Sequence, residues 1–460
     1  MNIIYDKVKT PIAHTYTVPV DLTAETMKLH LDETLAAMGV QGLDALVIYA
    51  DREHGANFAY LTGFEPRFEE ALLVLHKDGR VYYLLGNENL KMARFSFVPG
   101  DVIHVPHFSL PYQPMETEKT LVQLIHDAGL RPEMQVGIVG WKHFTGPLER
   151  NEKLYDVPSF IVDAIRQNIA EDHLRNAAGI FLDSGSGLRN RCNANEIAHY
   201  EFGAGLASAS ILRALNEMEP GMTEMDIANF LVTGGQPETV TRICATGDRF
   251  TNAVVFPRAK KICRGDKFSI TLGLRGGLSS RAAYVAATKD DLPEEARDYV
   301  ETVTIPYYKA AITWLSMMKI GTSCADIYRA IEEVLPKDTY HWVLNPGHYT
   351  SAEEWSSSPV YPGSSVKIKS GMLLQLDIIP SVPGYGGVSA EDGIAIADSN
   401  LRDALQTQYP ETWQRIVDRK AYLSDELRIQ LPEEVLPMSD ILGYLRPLLL
   451  AKDYALVDGS

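Results

Sequence analysis

The chain reads as an α+β protein in which an α/β first part is followed by a larger part built from two similar halves. Three observations predict this. Strand-like and helix-like segments alternate up to about residue 185, and a small, turn-prone stretch, DSGSGLRN (183–190), then interrupts them. Beyond it, a long helix that stops at Glu219-Pro220-Gly221 and restarts through Thr223 and Asp226 has a second copy, in which Gly321, Asp326 and Ile327 match Gly221, Asp226 and Ile227. Each copy leads into strand-like sequence, TVTRICATG to FSITLGL and then MLLQLDIIP to GIAIAD. The expected domains are 1–185, a pseudo-twofold domain at 186–420 and a C-terminal extension at 421–460.

In order along the chain, TMKLHLDETLAAMGV carries helical periodicity and LDALVIYAD reads as a strand. ANFAYLTGF follows, and ALLVLHKDGRVYYLLGN forms a hairpin over Lys77-Asp78-Gly79. DVIHVP comes next, with an amphipathic turn from Thr117 to Ala128. The helices ANEIAHYEFGAGLASASILRALNEM and IPYYKAAITWLSMM open the two halves. A helix ending at Gly with a Ser, Thr or Asp cap on the next one is common chemistry, so the repeat rests on the strands that follow each copy.

At 460 residues the chain exceeds one ordinary core, and 45% apolar with 22% charged residues describes a globular protein. Sixty acids against 43 bases give a formal charge of -17 with no basic block, which argues against nucleic acid as a partner. The N-terminus lacks an apolar core of signal-peptide length, and no run approaches the roughly 18 apolar residues of a membrane span. The expectation is a cytoplasmic protein with no membrane partner. Cys192, Cys244, Cys263 and Cys324 show no CxxC pairing, so they read as ordinary thiols.

Gly265 to Val285, GDKFSITLGLRGGLSSRAAYV, has the shape of a catalytic hairpin without its acids, since none follows Asp266. His348 follows the Asn345-Pro346-Gly347 turn, which can present a side chain into a cleft. Asp377 lies in an otherwise apolar strand, where an unpartnered carboxylate costs several kcal/mol. Its bland reading is a salt bridge or backbone cap, and its sharp one a general acid or base. Glu391-Asp392 follows Gly386-Gly387, and the flanking strand turns one of the two acids inward. Ser279, Ser280 and Arg281 are either exposed turn residues or a polar group in which Arg281 binds a substrate carboxylate or pairs with Asp377 or Glu391. Phe64, Arg67 and Phe68 are packing residues or a contribution to a partner's pocket.

Six features, in this order, resemble the creatinase, prolidase and aminopeptidase P superfamily, which also includes methionine aminopeptidase and has the pita-bread fold. They are Tyr60-Leu61-Thr62-Gly63-Phe64, EPGMTEMDIA, the GD(x)4TxG start at Gly265, Pro346-Gly347-His348, Gly371-Met372 leading to Asp377, and Gly387-Val388 leading to Glu391-Asp392. The resemblance implies a creatinase-type N-terminal domain, a pita-bread catalytic domain and a homodimer. In the family's metalloenzymes five ligands hold two divalent ions. Carried over, the first aspartate position is Thr271 and the second Ala282, or Ser280 if the turn is shorter. The histidine is His348, the fourth ligand Asp377 and the fifth Glu391.

Two neutral residues at the bridging positions cannot offset paired divalent charges, so no metal or other cofactor is expected. A single divalent ion at His348, Asp377 and Glu391 is the minority reading. Creatinase works without metal, using a histidine before the hairpin; here that segment offers only Asp248, Arg249, Thr251 and Asn252 as polar candidates. The expected function is metal-independent hydrolysis of a carbon-nitrogen bond in a small peptide-like or amino-acid-derived substrate. His348, Asp377 and Glu391 are its expected catalytic residues, and Thr271, Ser280, Arg281 and Arg67 its substrate contacts. The alternatives are an inactive pita-bread binding module and an Xaa-Pro peptidase with one weakly held metal.

Overall fold

A computed structural model describes residues 1–247 and 255–460 of the chain, which divide into two compact units, 22–190 and 1–21 with 191–460. The chain opens on β1 (Ile3–Lys7), a strand of the larger unit.

The smaller unit is built on a six-stranded sheet of β2 (Ala45–Ala50), β3 (Ala71–His76), β4 (Val81–Leu85), β5 (Asp101–His104), β6 (Val136–Val139) and β7 (Leu174–Asn176), in the order β5-β4-β3-β2-β6-β7. Every residue of β2 and β3 is buried, the pattern of strands covered on both faces. Met38, Phe58, Leu61 and Phe181 pack in one apolar cluster of this unit, and Leu124, Ile125, Ile161 and Ile165 in another. The hairpin over Lys77-Asp78-Gly79 forms with Gly79 in the left-handed region at φ +86°. ANFAYLTGF is a helix, Ala56–Thr62, stopped by Gly63 at φ +80°.

The larger unit carries an antiparallel sheet of β8 (Ile243–Thr246), β9 (Lys267–Leu274), β10 (Gly277–Tyr284), β11 (His348–Tyr349), β12 (Leu373–Leu376), β13 (Ser389–Ile396) and β14 (Val435–Pro437). The order is β11-β12-β13-β10-β9-β8, with β14 on β13. The hairpin turn between β9 and β10 lies against the helix Ala194–Glu217 so closely that a Cβ on Gly276 would sit 2.0 Å from the Tyr200 carbonyl oxygen.

The internal repeat is visible in the backbone bonding. Gly221 N–H donates to Ile262 and Gly321 N–H to Ile368, both at 2.9 Å, while Glu224 and Cys324 donate to Lys260 and Val366, again at 2.9 Å. Thr223 caps the helix Glu224–Ala228, with Asp226 reaching back to complete a capping box.

The boundaries differ from the sequence expectation at both ends. Residues 1–21 join the larger unit because β1 pairs antiparallel with β15 (Tyr454–Asp458). Residues 421–460 are part of that unit, supplying β14, β15 and the core side chains Ile441 and Leu445.

The N-terminal segment is held further by a buried ionic network. Arg419 Nη2 lies 2.6 Å from Glu201 and its Nε 2.8 Å from Asp440, while Arg415 also pairs with Glu201. His14 Nδ1 and the Tyr16 hydroxyl each meet Asp440 at 2.9 Å. Burial opposes the charge on His14, but Asp440, assisted by Asp418, outweighs it and raises the imidazole above its ordinary 6.5. A raised folded-state value means the stabilisation is complete below pH 6.5 and fades as pH rises through the higher folded value. Unfolding free energy is therefore expected to fall across that rise. Urea melts of His14→Asn should lack this slope; an unchanged slope would remove His14 as its source.

Candidate functional site

The register of the larger sheet aligns the polar residues that matter. Ile243 pairs with Thr271, Thr271 with Ser280, and Ser280 with Glu391, one rung across β8, β9, β10 and β13. Leu376 pairs with Asp392, so Asp377 follows directly at the end of β12 beside the Glu391 rung. His348 pairs with Gln375 and Gln375 with Gly393. Side chains alternate along a strand, so Ser269, Thr271, Ser280, Ser389, Glu391, Gln375 and His348 share one face.

Thr271 and Ser280 are buried, and the Thr271 hydroxyl donates to Ser280 Oγ at 2.8 Å. The residue opposite Thr271 is thus Ser280, while Ala282 sits two rungs away opposite Ser269. Ser269 Oγ is buried with no hydrogen-bond partner.

Arg281 corrects the expectation of a substrate contact. It occupies the alternate position of β10 and points to the opposite face, where its guanidinium lies 2.6 Å from Asp392 with both side chains buried. It also donates to the carbonyls of Tyr444 at 3.0 Å and Ser280 at 2.7 Å. Its cation pairs with neither Asp377 nor Glu391. Arg67 belongs to the smaller unit, where it is exposed and donates to the Arg52 carbonyl at 3.5 Å. Asp248, Arg249, Thr251 and Asn252 lie outside the described residues.

His348 is fixed by its turn. Gly347 has φ +99°, and a Cβ there would meet the Gln375 carbonyl oxygen and the Trp314 ring at 2.9 Å. Trp314 Nε1 donates to the Pro346 carbonyl at 2.9 Å, and Gly347 N–H donates to the Asp377 carbonyl at 3.1 Å. The imidazole is 2 % exposed, with Nδ1 3.0 Å from the Tyr349 carbonyl. Its Nε2 is 3.4 Å from Glu354 Oε1 and 3.8 Å from Asp377 Oδ2, with no hydrogen bond in place. Burial works against protonation, yet the Glu354 and Asp377 carboxylates hold the imidazole above its ordinary range. Asp377 is also buried, and its Oδ1 has no hydrogen-bond partner.

The approach to Glu391 is set by three buried tyrosines. Gly386 N–H donates to the Tyr284 hydroxyl at 2.7 Å, the Tyr299 hydroxyl donates to the Gly387 carbonyl at 2.8 Å, and Ala390 N–H donates to the Tyr307 hydroxyl at 2.8 Å. Burial pushes the Tyr307 phenol well above its ordinary range, so it stays neutral.

Sequence reasoning missed Glu354 and Tyr307. Glu354 lies on the loop closed by Tyr349 N–H donating to the Ser357 carbonyl at 2.8 Å, and nothing in SAEEWSSS sets it apart from a solvated acid.

The donor set does not fit two divalent ions. The positions that the resemblance assigns to the first two acids, Thr271 and Ser280, hold neutral hydroxyls bonded to each other. Among the described residues, no group of three or more His, Cys, Asp or Glu is arranged to hold a metal.

Two family models match the chain: metallopeptidase family M24 over residues 201–398, and the creatinase/prolidase N-terminal domain over 31–154. Among solved structures, the Xaa-Pro dipeptidase from Bacillus anthracis matches with a TM-score of 0.61 at 15% identity, covering 81% of this chain and 96% of that one. The recombinant prolidase from Thermococcus sibiricus matches with a TM-score of 0.63 at 18% identity, covering 81% and 95%. The N-terminal domain of the FACT complex subunit SPT16 from Cicer arietinum matches with a TM-score of 0.57 at 14% identity, covering 82% and 95%. No curated protein sequence matches the chain significantly.

Proposed function

The chain belongs to the creatinase, prolidase and aminopeptidase P superfamily, and on that premise we propose a peptidase-like hydrolase that cleaves a carbon-nitrogen bond without a dinuclear metal centre. Its fold is a creatinase-type N-terminal domain followed by a pita-bread domain.

One observation carries the reading. A buried imidazole, whose pKa two carboxylates raise above its ordinary value, leaves Nε2 without a hydrogen bond on the same face as a hydroxyl pair. In the proposed reaction a carboxylate, Asp377 or Glu391, takes a proton from water while the water oxygen attacks the substrate carbonyl carbon. Ser280, which already accepts from Thr271, donates its own hydroxyl to the developing oxyanion. His348 Nε2–H delivers its proton to the departing nitrogen as the carbon-nitrogen bond breaks, leaving an acid and an amine. The substrate is a short peptide or amino-acid derivative, and the working form is a homodimer. No described helix is long and apolar enough to cross a membrane.

The test is a panel of Xaa-Pro dipeptides, imides and creatine-like compounds, assayed before and after chelation on wild type and His348→Ala. Turnover that survives chelation and falls by about 10²–10⁴-fold in the variant is expected. Turnover lost to chelation would favour the single-metal peptidase. The neutral Thr271–Ser280 pair, standing where the family's metalloenzymes place acids, favours a second reading as a binding module. Ligand binding with no turnover on any substrate would establish that reading.

A further inference from the structure

We propose that the Tyr307 hydroxyl and Asp377 Oδ1 together hold the water that attacks the substrate, Tyr307 donating to its oxygen and Asp377 accepting one of its hydrogens. The inference deepens the proposed function and rests on its hydrolytic reading of this face.

Two buried groups here have complementary needs. The Tyr307 side chain is fully buried, and its hydroxyl oxygen accepts the Ala390 N–H at 2.8 Å. Among the described residues its own hydrogen meets no acceptor. Asp377 is 8 % exposed, and its Oδ1 is an acceptor with no donor. A donor without an acceptor and an acceptor without a donor are both costly when buried, and one water satisfies the two together. The sheet brings them near each other. Pairing of β12 with β13 stops at Leu376 opposite Asp392, so Asp377 leaves the ladder beside Glu391, whose neighbour Ala390 gives its N–H to Tyr307. Burial first, and then the charges of Glu391 and Asp377, push the Tyr307 phenol up, so the hydroxyl keeps its hydrogen and lies within reach of both carboxylates' fields.

A local feature of the helix aims the hydroxyl. Tyr307 stands on the helix Ile305–Met317, which is entered through a π-helical turn, Val300–Thr304, where Ile305 N–H reaches back to the Val300 carbonyl. Pro306 has no N–H to give, and its ring crowds the Thr302 carbonyl, so an ordinary turn is disfavoured at this point. In an α-helix eight residues would leave Tyr299 and Tyr307 about 80° apart round the axis, and the extra residue of a π turn cuts that to about 20°. Both hydroxyls therefore reach the same stretch before Glu391, Tyr299 bonding the Gly387 carbonyl and Tyr307 the Ala390 N–H, each at 2.8 Å. A water held at two points keeps one lone pair aimed at the substrate, an orientation that neither group sets alone. As it attacks, its oxygen bonds the carbonyl carbon and one of its O–H bonds breaks toward Asp377, while Tyr307 keeps its own proton.

The experiment joins crystallography to kinetics on the full chain. A high-resolution crystal structure should place a water within about 3.2 Å of both Tyr307 Oη and Asp377 Oδ1, and Tyr307→Phe should lose or displace it. On the best substrate of the panel, Tyr307→Phe should lower kcat about 10- to 100-fold with KM changed less than about twofold. Tyr308→Phe is the control, because it removes a buried hydroxyl from the same helix, one that donates to the Gly443 carbonyl at 2.8 Å. It should leave kcat within about twofold of wild type, with thermal melts confirming that both variants are folded. A wild-type site with no water bridging the two atoms, or an equal effect of the two variants on kcat, would each overturn the inference. The crystallographic reading needs neither turnover nor a variant, so it decides the matter even if Tyr307→Phe does not fold. A wild type that turns over nothing sinks the hydrolase reading, whereas turnover without the bridging water sinks this inference alone.

Discussion

Replacing Asp392 with alanine is expected to cost about 3–5 kcal/mol of unfolding free energy, because it leaves a buried guanidinium without its counter-charge. Arg281 and Asp392 have side chains 2% and 0% exposed, so water cannot take over the lost interaction. The carboxylate is itself over-determined: Ser279 and Ser439 donate to the oxygen that Arg281 does not use, at 2.8 and 2.6 Å. Burial alone pushes the Asp392 carboxyl up, and Arg281 with these two hydroxyls pulls against it. Arg281→Met with Asp392→Leu removes both charges together and should recover most of the loss, since a well-packed apolar pair is often as stable as a buried ion pair. Urea denaturation of the single and double variants checks both statements. A cost below about 1 kcal/mol for Asp392→Ala would mean that Arg281 finds another partner. Because this pair is on the face away from Thr271 and His348, the double variant should also retain whatever turnover wild type shows in the substrate panel. That result would separate the strap that holds the sheet from the groups that meet a substrate.

The same pair shows how far the sequence could be read. Strand alternation allows only one of Ser280 and Arg281 to face a given side, so the expectation that both contact substrate was inconsistent with a period of two. Which one points inward depends on the hairpin register, and the register depends on how tightly Arg275-Gly276-Gly277 turns against the helix backbone at Tyr200. That contact joins residues far apart in the chain and leaves no local mark. The internal repeat was legible for the opposite reason. Gly221 and Gly321, at φ +95° and +91°, and the helices that start at Glu224 and Cys324 after them are local chemistry that recurs in the sequence itself. The pairing of β1 with β15 spans nearly the whole chain, so the sequence reading assigned residues 1–21 to the first domain. The sheet brings His348, Asp377 and Glu391 to one face, and the role given to them rests on motif order. Glu354 was not legible, because its approach to His348 depends on the closure of the 349–357 loop.

The reading of the hydroxyl pair can be tested by reversing it. Thr271→Asp with Ser280→Asp would place two carboxylates opposite each other on one rung, with Glu391 paired to the second. Without metal, the added acids crowd like charges in a buried site, so the double variant should melt below wild type. With manganese, cobalt or zinc, anionic oxygens now stand where divalent ions need them, and His348 and Asp377 lie beside the rung. Metal at a hundred times its dissociation constant should then stabilise the variant by about 2.7 kcal/mol. For a unit of this size that is a rise in melting temperature of roughly 4 °C. Wild type should show no comparable rise, and Ser280→Asp alone should be intermediate. If the apo double variant does not fold, refolding with and without metal gives the same comparison. A metal-induced rise in wild type equal to that of the double variant would show that neutral hydroxyls suffice, and the electrostatic argument against a two-ion centre would fail. No rise in the double variant would instead place the error in the geometry, since Thr271 and Ser280 could not then be the facing pair on the cleft side of β9 and β10.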